Sequence, residues 1–420
     1  MPGGVPPAAP SQATTSEPTP LRNRSFALLL SGGFVSDLGD WMLLIALPVY
    51  VFQLTGSALT TSTVFVAELI PGLIAGQFAG VLVDKVDRRR ILVAASLAQA
   101  ILLLPILLVH GADQLWIVYL VAAAQSCLAR VCSPAKAALI PSLVTRSQLA
   151  PANSLSAVSD NLARLVGSPL GGLAIQVFGL VGVVVVDAIT FLASAVLIAF
   201  VKVPPGTRVR DEGPRRGLVQ DWLDGFRTIR RTPPLPAILS IGALGQLAQG
   251  IFVVLFVVFV LETLGGTGSD VGLIRGTQAI GGVLGGLVVG RLARRFGPER
   301  LVQWGYVAFG LIALATWNVA AVTSAIWVYV GLFIAAGIPG VALGAGLTTI
   351  VQSVAPPTHL GRIFAAFETF SGAVQAVGVL AAGALADRLG VIPILDLQAS
   401  IYILCGMLLF IALRRRVAPG

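Results

Sequence analysis

The chain has 420 residues, of which 56% are hydrophobic and only 11% charged, and its mean hydropathy is +0.90. A water-soluble globular domain, with an apolar share of roughly 45–50%, is excluded. The formal charge of +9 does not point to nucleic acid, because the basic residues stand in short loops between apolar runs, and no nucleic-acid partner is expected.

The first 24 residues are rich in Pro, Ala, Ser and Thr and read as a disordered tail, without the charged start and short apolar core of a signal peptide. Runs long enough for a hydrocarbon layer of about 30 Å then follow one another. The first six are Phe26 to Phe52, Leu59 to Val83, Ile91 to Val109, Leu115 to Ile140, Ala152 to Phe178 and Val181 to Val201. After a polar stretch rich in Arg and Pro come Leu235 to Leu261, Val271 to Ala293, Leu301 to Val319, Ala325 to Val354, Arg362 to Leu385 and Val391 to Leu413. Cys127, Cys132 and Cys405 fall inside these runs without C-x-x-C spacing, so neither a disulfide nor a metal site is indicated.

The expected fold class is therefore an all-α membrane protein of twelve transmembrane helices. Arg22, Arg24, Lys85, Arg88 to Arg90, Arg146, the basic residues from Lys202 to Arg231, Arg291, Arg294, Arg295, Arg300, Arg362 and Arg414 to Arg416 all flank the same side. Arg388 alone flanks the other. The bias places both termini in the cytoplasm and the protein in the cytoplasmic (inner) membrane. The domain reading is a tail over 1–24, a six-helix half over 25–203, a cytoplasmic linker over 204–234, a second half over 235–416 and a tail over 417–420.

The ends of runs 2, 5, 8 and 11 are alike: GVLVDKVD from Gly80, GLAIQVFG from Gly172, GRLARRFG from Gly290 and GALADRLG from Gly383. The middle interval exceeds its neighbours by about the length of the linker, so a three-helix unit occurs four times. Three is odd, so successive units enter the membrane from opposite sides. The architecture is two six-helix bundles, each of two inverted three-helix repeats, which implies alternating access.

GVLVDKVDRRR after the second run, two six-helix halves and a linker resemble the major facilitator superfamily along the whole chain after the tail. Its signature maps onto Gly80, Asp84, Lys85, Arg88 and Arg89, with Asp87 in place of the usual glycine and Arg294 in place of Asp84 in the second half. SDLGDWM in the first helix and HLGRIFAAF, containing Arg362, before the eleventh resemble the branch of macrolide efflux proteins and the enterobactin exporter. GSPLGG from Gly167 partly matches a motif of drug/proton antiporters. The resemblance implies export of a hydrophobic or amphipathic small molecule (antibiotic, macrolide-like or siderophore) by proton antiport, no cofactor, a lipid environment and a monomer. It also implies a latch in which Asp84 meets the N-terminus of helix 11 and its partial positive charge.

A charge inside a bilayer costs about 2.5–3.5 kcal/mol on insertion scales, so ionisable residues there are functional candidates. Asp37 and Asp40 lie three apart on one helix face, Glu68 follows in helix 2, and all three are candidates for proton coupling, because burial favours the neutral acid and a nearby cation the charged one. The alternative is bracing between helices or plain hydration. Asp160 and Arg164, four apart in helix 5, are expected to pair. Arg130 can contact substrate or bridge to a carboxylate, Asp187 is expected to cap or brace, and Arg275 to snorkel toward the membrane surface. Trp41, Arg130, Gln246, Gln249, Gln278, Glu368 and Gln375, with Phe65 and Phe252, are candidates for a cavity, although each aromatic ring also suits core or lipid contact.

No lysine follows a phosphate-binding glycine loop, and His110 and His359 are far apart and outside the runs, so an ATP-driven pump and a metalloenzyme are disfavoured and no enzyme is expected. The rivals are a lipid or lysolipid transporter and a proton-coupled uptake symporter of the same fold.

Overall fold

The computed structural model describes residues 19–203, 218–356 and 359–414; the side chains at 80–82, 84, 85, 218–222, 290, 293, 294, 413 and 414 also lie outside the described residues. The first half comprises α1 (Arg24–Thr55), α2 (Ala58–Lys85), α3 (Arg88–Leu103), α4 (Leu115–Leu143) and α5 (Leu149–Ala199). After α6 (Leu218–Arg231) the second half comprises α7 (Leu235–Val258), α8 (Gly268–Phe296), α9 (Pro298–Asn318), α10 (Ile326–Val354), α11 (Leu360–Leu389) and α12 (Val391–Arg414).

Among the described residues, eleven helical stretches are long and apolar enough to cross a membrane, and one of them, Arg146–Ala199, runs for 54 residues. It breaks at Gly179, where φ is +65°, into limbs 149–178 and 180–199, so it crosses twice and the total is twelve. The first limb exceeds and the second matches the roughly 20 residues a crossing needs.

The repeat explains that break. The final glycine of the second, third and fourth copies, Gly179, Gly297 and Gly390, has φ of +65°, +78° and +84°, a left-handed backbone that costs a residue with a Cβ about 1–2 kcal/mol. Each glycine alone turns one crossing into the next. In the first copy Asp87 stands there instead, with φ −60°, and its carboxylate accepts the Arg90 backbone N–H at 3.0 Å to cap α3.

One face of the bundle carries the start of α1 and the end of α12; it is called the terminal face and its opposite the far face. The first half is stitched together at the terminal face by polar contacts: Asn23 caps α1, Ser25 bonds Lys202, Arg88 donates to the Ala138 carbonyl at 2.8 Å and Arg89 to that of Ala199. α6 was not anticipated within the linker. Its Gly225 lies against the Arg362 carbonyl, Phe226 meets Phe370 edge-on with centroids 6.3 Å apart, and Asp224 lies 3.8 Å from the Arg362 guanidinium, so α6 is docked along the first turns of α11.

In lipid, helices associate through close packing of small residues rather than through the hydrophobic effect. GSPLGG shows this on two sides of α5. Gly167 and Gly171 rest on the backbone of α1 at Leu38 and Met42, while Gly172 faces Gly268 and Ser269 of α8 in the other half, and Ser168 faces Gly272. These contacts between halves run from the middle of α5 toward the far face. The other pair of helices linking the halves is α2 and α11, where Gly383 meets Leu59 and Ser62, Gly372 meets Leu73, and Gln77 donates to Thr369 at 3.0 Å.

Candidate functional site

Three connected cavities run through the middle of the protein. The central one, of about 460 Å³, lies between the halves and is lined by Asp40, Trp41, Phe65, Glu68, Arg130, Phe252, Arg275 and Gln375, among others. A second, about 400 Å³, belongs to the first half and is reached past Asp40 and Trp41; it contains Asp37, Lys136 and Asp160. A third, about 410 Å³, holds Arg164, Gln246, Gln249, Arg275 and Gln278, and meets the first at Arg275.

In the second cavity Lys136 of α4 reaches Asp37 of α1 at 3.2 Å and Asp160 of α5 at 3.3 Å. Gly33 makes room for it, since a methyl there would lie 2.9 Å from the Lys136 Nζ. By rise along α1, Asp37 is about 20 Å inside the terminal face. The triad holds two carboxylates and one ammonium, an excess of one negative charge. Asp40 lies one turn farther along α1 and opens onto both this cavity and the central one, where Glu68 stands. Carboxyl groups therefore form a series from the middle of the protein toward the terminal face.

The expected Asp160–Arg164 pair is not formed. Both belong to α5, but Asp160 turns to Lys136, whereas the Arg164 guanidinium lies 5.6 Å from the Trp41 ring centroid and its buried Nε has no hydrogen-bond partner among the described residues. A spacing of four permits a pair on one helix; a lysine from a neighbouring helix outcompetes it here. Arg130 lines the central cavity, and among the described residues it makes no ion pair to a carboxylate. Arg275 turns inward rather than to the membrane surface: its guanidinium sits 5.0 Å from the Phe252 centroid and donates to Gln278 Oε1 at 2.6 Å.

Of the cavity candidates, Trp41, Arg130 and Gln375 line the central space and Gln246, Gln249 and Gln278 the third. Glu368 is exposed and does not line these three cavities. Phe252 joins the cavity to a packed aromatic group, with Phe256, Phe333 and Trp317 at 5.5, 6.1 and 6.3 Å, which makes that wall stiff. Asp187 is fully buried behind α1, where Gly39 leaves space for its carboxylate and the Thr190 hydroxyl. The side chains of Gly80, Asp84 and Lys85 lie outside the described residues; Arg88, Arg89 and Arg362 make the terminal-face contacts given above. Sequence reasoning gave Lys136 no role, although an intramembrane lysine is as exceptional as an intramembrane aspartate.

Residues 15–418 match the family described as transmembrane secretion effector. Macrolide efflux protein A of Streptococcus pyogenes is 24% identical over 87% of this chain and 90% of its own length. Multidrug efflux pump Tap of Mycolicibacterium fortuitum is 28% identical over 86% of this chain and 89% of its own. In fold, the chain is similar to the crystal structure of the nucleoside transporter NupG, with a TM-score of 0.74 over 92% of this chain and 99% of that one, at 13% identity.

Proposed function

Since the chain belongs to the transmembrane secretion effector family, in the macrolide-efflux branch of the major facilitator superfamily, we propose that it exports hydrophobic or amphipathic small molecules (antibiotic, macrolide-like or siderophore) by proton antiport with alternating access. It is a multi-pass membrane transporter and not an enzyme. The proposed setting is the cytoplasmic membrane with the terminal face inward, a placement supported by the basic residues gathered there.

The observation that carries the coupling is the Lys136 triad. One proton delivered to Asp37 or Asp160 cancels its excess charge and leaves Lys136 with a single carboxylate partner. That loosens the tie between α1, α4 and α5, of which α1 and α5 pack closely through Gly167 and Gly171. Asp40 and Glu68 carry the proton between this group and the central cavity, where substrate sits against Trp41, Phe65 and Phe252. Contacts between α5 and α8 concentrated toward the far face suit a form open to the terminal face; the opposite form requires those contacts to part.

The test is efflux of a macrolide or a lipophilic fluorescent dye from energised cells, with a protonophore control and the variants Asp37→Asn and Glu68→Gln. Loss of efflux with the protonophore and in either variant is expected. Efflux indifferent to all three would remove the coupling assignment.

A further inference from the structure

The third cavity differs in charge from the other two. Its lining includes Arg164 from the first half and Arg275 from the second and no acidic side chain. The two face one space because Gly276 of α8 packs on α5: a methyl there would lie 2.7 Å from Pro169 and 3.0 Å from the Leu165 carbonyl. The residues just before Gly276 and Leu165 are these two arginines. Among the described residues neither makes an ion pair to a carboxylate; each lies over an aromatic ring, and the buried Arg164 Nε has no hydrogen-bond partner there.

The neutral groups add donors. Gln278 spends its carbonyl oxygen on Arg275, and Gln249 accepts from the Tyr402 hydroxyl at 3.3 Å, so what these two lining amides have left to give a ligand is chiefly their NH2 donors. A chamber with two unneutralised guanidiniums and several N–H donors fits acceptor oxygens bearing negative charge, which planar guanidinium groups bind well.

We propose that this chamber seats the anionic group of an amphipathic substrate, a carboxylate, sulfonate or phosphate held between Arg164 and Arg275, while the substrate's apolar body lies in the central cavity against Trp41 and Phe252. The inference rests on the export reading above and narrows its substrate class. It also gives binding a consequence: two like charges from opposite halves repel across the chamber, and a bound anion joins them.

The test uses two dyes sharing one aromatic body, anilinonaphthalenesulfonate and its uncharged counterpart phenylnaphthylamine, with ethidium as a cation. Binding is measured to the full chain in phosphatidylcholine nanodiscs and, separately, protonophore-sensitive extrusion from cells. Wild type is expected to prefer the sulfonate by about tenfold or more, the scale of hydrogen bonds to charged groups. Arg164→Gln/Arg275→Gln should bring the ratio near unity, and Arg164→Lys should retain part of it. A preference unchanged in a double variant that melts like wild type, or a wild type that prefers the neutral dye or ethidium, would overturn the proposal. Displacement of the sulfonate on adding phosphatidylglycerol would identify a lipid phosphate as the occupant; no displacement would assign the site to a soluble anion. Extrusion of the dyes without sulfonate preference refutes the anion seat and leaves the export reading standing, and preference without extrusion of any dye does the reverse.

Discussion

Gly172→Ala should move the protein toward a form in which α5 and α8 part at the far face. A methyl on Gly172 would overlap the Gly268 carbonyl and lie 2.9 Å from its carbon and 3.0 Å from the Ser269 Cα, against about 3.5–4.0 Å for comfortable carbon contacts. Overpacking of that size costs about 1–3 kcal/mol. Gly268 belongs to the other half, so the penalty exists only while the halves touch there, and it becomes a population shift of about 5- to 150-fold. Gly286→Ala, with nothing within 4 Å of the added methyl, is the control. Spin labels at Val177 and Thr267, in a chain whose native cysteines are replaced, would report the separation of the two helix ends by pulsed electron resonance. The long-distance fraction should rise in Gly172→Ala and stay at the wild-type level in Gly286→Ala. Identical distributions in all three folded proteins would refute the reasoning that these glycines hold the far face shut.

Lys136→Ala leaves Asp37 and Asp160 without their shared cation; because Asp160 is 57% exposed, water screens the loss, and thermal unfolding in detergent should show about 1–2 kcal/mol of destabilisation. Adding Asp37→Asn should recover much of it. Gly39→Ala drives a methyl into the Asp187 carboxylate and Thr190 hydroxyl and should cost about 1–3 kcal/mol in the same assay, with partial recovery in Gly39→Ala/Asp187→Ala. Phe226→Ala should free α6 from α11, seen as faster hydrogen exchange over 223–231, whereas Asp224→Asn should do so only weakly, since the half-exposed pair with Arg362 contributes about 0.2–1 kcal/mol.

The crossings were legible because they are one-dimensional. The runs starting at Leu115, Leu235 and Val391 begin α4, α7 and α12 at those same residues, and the repeat of GLAIQVFG, GRLARRFG and GALADRLG located three one-glycine reversals. α6 escaped notice because its apolar residues form a stripe rather than a run, and the stripe matters only where α11 receives it. The site was legible in its residue types and not in its pairings. Which acid meets which base depends on how α1, α4 and α5 are rotated, so Asp160 looked destined for Arg164 until Lys136 stood nearer. The inward turn of Arg275 follows from Gly276 packing on Pro169, a contact between halves that no local pattern encodes.

The single-glycine reversals also limit how the transporter can move. With no slack at Gly179, Gly297 or Gly390, the limbs of α5, the pair α8 and α9, and the pair α11 and α12 cannot slide past one another along their axes. Each pair behaves as a stiff lever jointed at one end. Any cycle of opening and closing is therefore built from a few coupled levers rather than twelve independent rods, and lengthening one of these reversals by a few residues would add a degree of freedom that this machine lacks.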